Sequence, residues 1–328
     1  MPSNIDSNPL ISIILCTYNG ERFLQAQLDS LLRQTYANIE LLIFDDASCD
    51  TTLEILEKYA VLHANIVLSI NNQRLGFIAN FEQAIAYWLK QKRSDYMALC
   101  DQDDLWHPHK LALSLKELNE LEASYPKLPA LVHCDLRLIN ASDQQINPSF
   151  FASKNLHFSE KKSLAQLLGY NGVMGNTLLI NRHLAKICLP FPPQLKYHDY
   201  WISLVNELFG KRKTIKQTLI DYRIHSKNTS NNRQAKGQGW RSVFKSVTHK
   251  KLALPFFDNH RAPLIDYLLR KFPDLNDDDR MLLLQFQRYL NADMSRIEAL
   301  LFLFQNGFLK QGWKHKISVF FRLLVMSK

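Results

Sequence analysis

The sequence predicts an α/β fold, a parallel sheet with helices on both faces, followed by a helical C-terminal extension. Two observations predict the sheet. Short continuous apolar runs alternate with segments of helical period over the first hundred residues, and polar residues gather at the end of each apolar run. A third observation, the helical period that persists beyond about Trp240, predicts the extension.

Ile11 to Cys16 is continuously apolar and reads as a strand buried on both sides, and Glu21 to Gln34 carries Phe23, Leu24, Leu28, Leu31 and Leu32 at helical spacing. Ile39 to Phe44 repeats the strand pattern. Ser48-Cys49-Asp50-Thr51-Thr52 then supplies cap-favouring residues before a helix bearing Leu53, Ile55 and Leu56. Ile66 to Ile70 is the third strand, Phe77 to Leu89 the third helix and Tyr96 to Leu99 the fourth strand. Leu131 to Ile139, Leu178 to Ile180 and a segment ending at Ile220 read as further strands, and Tyr197 to Trp201 opens a short helix. In the extension, Leu264, Leu268 and Leu269, then Leu282, Leu283, Phe286 and Leu290, recur at helical positions. The polar stretch Ser226 to Gly239 is the nearest approach to a linker.

A chain of 328 residues, 46% of them apolar, can bury one large core, or one core plus an appendage. Its net charge of +9 is uneven. From Leu204 onward there are 23 Lys and Arg against 10 Asp and Glu, whereas the preceding part has 17 against 21. A basic surface with interspersed aromatics suits nucleic acid, anionic lipid headgroups or a phosphorylated substrate, and composition does not choose among them. The five cysteines show no paired spacing, which suggests neither a disulfide framework nor a zinc site and fits a reducing cytosol. Met1 to Pro9 lacks the pattern of a signal peptide. The longest apolar runs, Ala299 to Phe304 and Ile317 to Met326 with Arg322 inside it, fall short of the roughly 20 residues that span a bilayer, so no membrane crossing is expected.

Ligands of parallel sheets bind beyond the carboxyl ends of the strands. There stand Thr17-Tyr18-Asn19, Asp45-Asp46, Asn71-Asn72-Gln73-Arg74 and Asp101-Gln102-Asp103-Asp104, one group after each of the first four strands. A solvated loop or a helix cap explains any one of them; four together point to a site. Three carboxylates within four positions repel one another unless a cation sits among them. Hard oxygen ligands suit Mg2+ or Mn2+ rather than zinc. Neither GxGxxG nor GxxxxGK[ST] occurs near these strands, so phosphates have to be held through a metal and side chains. In Asn171 to Thr177, Gly172 and Gly175 permit close approach of backbone to a ligand, and a simple turn explains them nearly as well.

Taken together, ILCTYNGERFLQAQLDSLLRQTYANIELLIFDDASCDTT at 14–52, DQDDLWHPHKL at 101–111, GNTLLINR at 175–182, HDYW at 198–201 and YRIHSKNTS at 222–230 resemble the bacterial family 2 glycosyltransferases, in detail the rhamnosyltransferase-like members. The resemblance covers roughly the first 230 residues. It implies the GT-A nucleotide-sugar-binding fold, a Rossmann-like mixed, mostly parallel sheet. The catalytic domain would occupy 1–235, with a nucleotide-binding half at about 10–106 and an acceptor half at about 107–235, and the basic helical region 236–328.

By the same resemblance, Thr17, Tyr18 and Asn19 line the nucleotide site, with Tyr18 packing on the base. One of Asp45 and Asp46 accepts from a uracil or thymine imide, and Arg74 approaches the diphosphate. Asp101 faces the ribose, Asp103 binds the metal, and Asp104 holds the loop or approaches the donor sugar. Asp199 is the catalytic base, a role it could combine with capping its helix, and His198 shapes the pocket. His225 completes the metal shell or is a polar loop histidine, and its neighbours Arg223 and Lys227 could steady a diphosphate. Asn80, where some relatives carry a cation, is neutral here.

The activity so implied is an inverting, Mn2+- or Mg2+-dependent transfer of a sugar from a UDP- or dTDP-sugar donor to a cell-surface polysaccharide or lipopolysaccharide-type acceptor, free or lipid-linked. The setting would be the cytoplasm, at the cytoplasmic face of the inner membrane. The C-terminal region reads either as a helical appendage with solvated lysines or as a surface for anionic membrane, with His315 to Met326 as an amphipathic contact. Two rival readings remain at this level. A sugar nucleotidyltransferase would carry a glycine-rich phosphate loop, which Cys16-Thr17-Tyr18-Asn19-Gly20 is not. A basic nucleic-acid-binding protein would show a reader motif, none of which is recognisable, and no nucleic acid partner is expected.

Overall fold

The structure, a computed structural model, describes residues 8–158, 163–169, 172–226, 228 and 261–308. Lys227, the segment His315 to Met326 and most of Ser226 to Gly239 lie outside these residues. The chain divides into two compact units, one of Met1–Lys162 with Gly172–Arg223, the other of Ser163–Asn171 with Ile224–Lys328.

The first unit opens with β1 (Ile11–Thr17), α1 (Glu21–Leu32), β2 (Ile39–Asp45), α2 (Thr52–Leu62), β3 (Ile66–Ile70), α3 (Phe77–Gln91) and β4 (Tyr96–Cys100). Each matches its sequence expectation to within a few residues. Their order in the sheet is β3-β2-β1-β4, all parallel, with Thr17 beside Asp45 and Asp45 beside Ile70. The four carboxyl ends are therefore nearly level, and the polar groups that follow them share one edge. The continuous apolar runs have a physical cause in burial on both faces. Ile11, Ile13 and Leu15 pack with Leu24, Leu28 and Leu31 of α1 on one side, and α3 covers β1 and β2 with buried Phe81, Ala84, Ile85 and Trp88.

Beyond β4 the sheet turns antiparallel. The chain continues through β5 (Leu105–Trp106), α4 (Lys110–Ser124), β6 (Ala130–Asn140), β7 (Gln145–Asn147) and α5 (Phe150–Lys154). A single 3-10 turn, Gly175–Thr177, then leads into β8 (Leu179–Asn181), α7 (Arg182–Cys188), α8 (His198–Phe209) and β9 (Lys211–Ile224). The strand order runs on as β4-β8-β6-β9-β5, with β7 on β6. β4–β8, β6–β8 and β5–β9 are antiparallel, which makes the sheet mixed. Asp221 of β9 ties this half together: it accepts from Arg137 Nε at 2.7 Å and Nη2 at 2.5 Å and lies 2.8 Å from His107 Nε2.

In the second unit, α6 (Leu164–Gly169) packs on α10 (Asp277–Leu290), and α9 (Arg261–Lys271) and α11 (Arg296–Gln305) complete the described helices. The expected positions Leu264, Leu268, Leu283 and Phe286 are buried there. Phe308 stacks on Phe286 with centroids 5.1 Å apart. Asn276 caps α10, and Ser295 with Glu298 forms a capping box on α11. Among the described residues no helix is long and apolar enough to cross a membrane.

Candidate active site

The loop after β1 is built to hold its neighbours. Asn19 sits at φ 46°, a left-handed conformation that Asn tolerates. Its N–H donates to Ser48 Oγ at 2.9 Å, while its Oδ1 accepts from the Cys49 N–H at 2.9 Å. Thr17 Oγ1 donates to Asp45 Oδ2 at 2.7 Å, and Asp45 also accepts from the Ser48 N–H and hydroxyl, at 2.8 and 2.6 Å. Asp46 accepts from the backbone N–H groups of Leu75 and Gly76, at 2.7 and 2.8 Å, and from Asn71 Nδ2 at 3.1 Å. Each buried carboxylate thus has three of its roughly four acceptor positions filled from its own chain. Asn80, also buried, links the same loop to β2, donating to the Phe44 carbonyl and accepting from Asn71.

Tyr18 is where the first and fourth loops meet. Gln102 accepts from the Tyr18 N–H at 2.9 Å and donates to the Tyr18 carbonyl at 3.1 Å. A Cβ at position 20 would stand 2.4 Å from Gln102 Oε1, so glycine makes room for this reciprocal pair. The Arg74 guanidinium lies over the Tyr18 ring, 4.0 Å from its centroid. Gln102, the middle residue of the Asp-Gln-Asp element, is thus a structural latch; its position inside that motif was the only signal for it.

The acidic loop is anchored from behind. Asp104 is buried, accepts from the Arg223 N–H at 3.0 Å and takes a second bond from Asn176 Nδ2. Arg223, only 2% exposed, donates to the Asp103 carbonyl at 2.8 Å, pairs with Asp143 and lies 4.5 Å from the centre of Phe23. Its guanidinium is committed inside the protein, where it holds the backbone of Asp103.

Asp199 stands in the first turn of α8 and does not cap it: Tyr197 is the N-cap residue, without a side-chain cap bond. The Asp199 carboxylate instead accepts from the Tyr200 N–H at 2.6 Å and from the Gly175 N–H. The Gly175–Thr177 turn therefore serves both motifs at once, Gly175 holding Asp199 and Asn176 holding Asp104. Neither function is visible from the sequence. His198, 4% exposed, stacks on Phe81 with centroids 4.4 Å apart. A Cβ on Gly175 would come within 2.8 Å of His198 Nε2 and 3.6 Å of Asp199 Cβ. Gly175→Ala is accordingly expected to push the first turn of α8 aside and lower kcat by roughly tenfold or more, because misplaced reacting groups cost rate steeply. UDP binding measured by calorimetry is expected to stay within about twofold, since the turn reaches the acidic loop through the Asn176 side chain, which the substitution leaves in place.

The electrostatics are those of carboxylates crowded out of water. Burial pushes Asp101 up to about 7, with the nearby Asp103 and Asp199 charges adding to the shift. Burial likewise pushes Asp199 up to about 6, against the pull of the Tyr200 and Gly175 N–H groups. Asp104 is raised well above the usual carboxylate range by burial and by Asp103 and Asp101. Burial lowers His198 to about 3, so its imidazole is neutral. Among the described residues no three His, Cys, Asp or Glu side chains form a ready-made metal cage. An oxygen-only set with surplus negative charge nevertheless fits a hard divalent ion that takes further ligands from substrate phosphates and water. His225 belongs to the second unit, where its N–H donates to Asn228 Oδ1 at 2.5 Å.

Residues 12–173 match the family model described as "Glycosyl transferase family 2". An uncharacterized glycosyltransferase of Rickettsia typhi is 31% identical over 232 residues, 68% of this chain and 67% of its own length. The UDP-Glc:alpha-D-GlcNAc-diphosphoundecaprenol beta-1,3-glucosyltransferase WfaP of Escherichia coli is 26% identical over 258 residues, 76% of this chain and 92% of its own. Among solved structures, the mannosyltransferase PcManGT from Pyrobaculum calidifontis, in complex with GDP-Man and Mn2+, aligns with a TM-score of 0.54. It covers 92% of this chain and 74% of that one at 16% identity, a likeness of fold.

Proposed function

The chain belongs to glycosyltransferase family 2, and from that premise we propose a metal-dependent inverting transfer of a sugar from a UDP- or dTDP-sugar to a cell-surface polysaccharide or lipopolysaccharide-type acceptor. The observation that carries the reading is the placement of Asp199. It is a partly buried carboxylate pushed up to about 6, close enough to Asp101 to raise it, and held by two backbone N–H groups that fix its direction. A base of that kind is ionised at neutral pH and still strong enough to take a proton in the transition state.

In this mechanism the acceptor hydroxyl gives its proton to Asp199 as its oxygen bonds to the anomeric carbon. The bond from that carbon to the nucleoside diphosphate breaks on the opposite face, and the configuration inverts. Mn2+ or Mg2+, when bound, would supply positive charge to the departing diphosphate, and Asp103 is the residue that would hold it. Tyr18 offers the base a stacking face, and Asp45 or Asp46 retains one acceptor position for an imide N–H. Arg74 stands beside Tyr18, within the same group of loops, as a cation for the diphosphate. Rhamnosyl transfer from dTDP-rhamnose is one donor reading and a UDP-hexose the other. WfaP, whose name gives a diphosphoundecaprenol-linked acceptor, supports a lipid-linked glycan. That acceptor would place the enzyme at the cytoplasmic face of the inner membrane, with the basic C-terminal region towards anionic lipid.

Calorimetry of the purified protein with UDP and with dTDP, each with and without Mn2+, tests this. Metal-dependent binding with a Kd in the micromolar range is expected for one of the two, and the preference names the donor base. Absence of binding to both in the presence of Mn2+ would overturn the assignment.

A further inference from the structure

We propose that Phe77 is the platform for the acceptor sugar, whose pyranose C–H face lies on the exposed side of the ring and turns one hydroxyl towards Asp199. The proposal rests on the transferase reading given above and adds a subsite to it.

Phe77 is the first residue of α3 and 39% exposed, an open aromatic ring in contact with the residue before the candidate base. It is not a loose side chain. Its ring meets Phe81 edge to face at 5.0 Å and His198 at 5.1 Å, and His198 in turn stacks on Phe81. His198 is the residue before Asp199, and its Nε2 packs against Gly175, which donates to the Asp199 carboxylate. Phe77 is therefore one ring contact from His198, the chain neighbour of the base. Among the described residues neither ring nitrogen of His198 has a hydrogen-bond partner, so the imidazole acts here as a flat neutral wall.

The backbone that presents the ring is fixed as well. Asp46 accepts from the Leu75 and Gly76 N–H groups. Gly76 turns the chain into α3 at φ +89°, a conformation that side chains disfavour, although nothing lies within 4 Å of a Cβ placed there. One short strap, Arg74 to Phe77, thus carries a cation over Tyr18 at one end and, at the other, an open aromatic ring against His198, the residue before Asp199. The aromatic face carries negative quadrupole and attracts the C–H edge of a ligand. A pyranose offers such an edge on one face and hydroxyls around its rim, which suits an apolar platform next to a carboxylate base. The nucleotide base has its own ring in Tyr18, so the second platform is assigned to the acceptor. Leu75, two residues before Phe77, and Tyr197, one before His198, are likewise exposed, 39% and 40%.

Saturation-transfer NMR with methyl β-D-glucopyranoside and methyl N-acetyl-β-D-glucosaminide, with UDP and Mn2+ present and absent, tests the platform. The variants are Phe77→Leu, which keeps apolar cover over Phe81 and removes the ring, and Phe77→Trp, which restores an aromatic face. The expected result is transfer to the pyranoside ring protons in the native protein, a loss of roughly fivefold in Phe77→Leu and recovery in Phe77→Trp, with UDP binding alike in all three. No transfer in the native protein, or equal transfer in Phe77→Leu, would overturn the platform even if UDP binds. A Phe77-dependent pyranoside signal in a protein that binds neither UDP nor dTDP would keep the sugar subsite and sink the transferase reading instead.

Discussion

Asp199→Asn is expected to lower kcat by roughly 100- to 10,000-fold, the usual contribution of a positioned general base, while the Kd for the nucleotide changes by less than about threefold. The amide keeps the shape of the side chain and one acceptor oxygen for the Tyr200 and Gly175 N–H groups. What it lacks is the ability to take a proton. The native enzyme should show an acid limb in kcat/KM with a midpoint near 6, set by the Asp199 carboxyl, with the rate falling as the pH drops through it. The variant should show no such limb.

Stability supplies an independent check on the same residue. The folded-state pKa of Asp199 lies above its ordinary value, so folding favours the protonated form. Its contribution is most favourable at low pH and is lost as pH rises through about 6. Asn, neutral throughout, escapes that loss, and Asp199→Asn should melt no lower than the native protein above pH 6 by scanning calorimetry. A variant that retains transfer, or that loses nucleotide binding in parallel with transfer, would remove Asp199 from the role of base.

Asp103→Ala is expected to abolish the Mn2+-dependent part of nucleotide binding, weakening the Kd by roughly 100-fold or more. Removing a group that only orients a metal's ligand costs about 10- to 100-fold in metal affinity, and removing a direct ligand should cost at least that. The effect should appear only when metal is present; in EDTA the native and variant proteins should bind UDP equally weakly. The variant should still fold, because the loop is anchored through the Asp103 carbonyl to Arg223 and through Asp104 to Asn176, neither of which involves the Asp103 carboxylate. Removing that carboxylate also takes away a like charge that raises Asp101, whose titration should move below about 7. An unchanged Mn2+ response would show that the metal is held elsewhere.

The first half of the fold was legible because its cause is local. Residues buried on both faces of a parallel strand have to be apolar throughout, and α1 and α3 have to present a face every three to four residues, so Ile11 to Cys16 and Phe77 to Leu89 announce themselves. The antiparallel half is harder to read. β5 is two residues long and β7 three, too short for a period, and α6 and α7 are single or double turns whose apolar residues match no helical template securely. The site follows the same division. The acidic groups at the strand ends were visible as chemistry, but nothing local distinguishes Asp103 from the buried Asp104, or an Arg223 engaged with Asp103, Asp143 and Phe23 from one that is free.

By itself the sequence determined the alternating α/β architecture and the edge of the sheet on which polar groups collect, because hydrophobic period and residue type act over a few neighbouring positions; Asp199 entered as a candidate base only through the family resemblance. Only the tertiary structure decided which groups are spent on holding the site. Gln102 latches Tyr18, Asp46 fixes the strap that presents Phe77, and the Gly175–Asn176 turn joins the acidic loop to the base. Those roles depend on contacts between residues up to 84 positions apart in the chain. Burial and hydrogen bonding across such separations are set by packing, which no local pattern encodes.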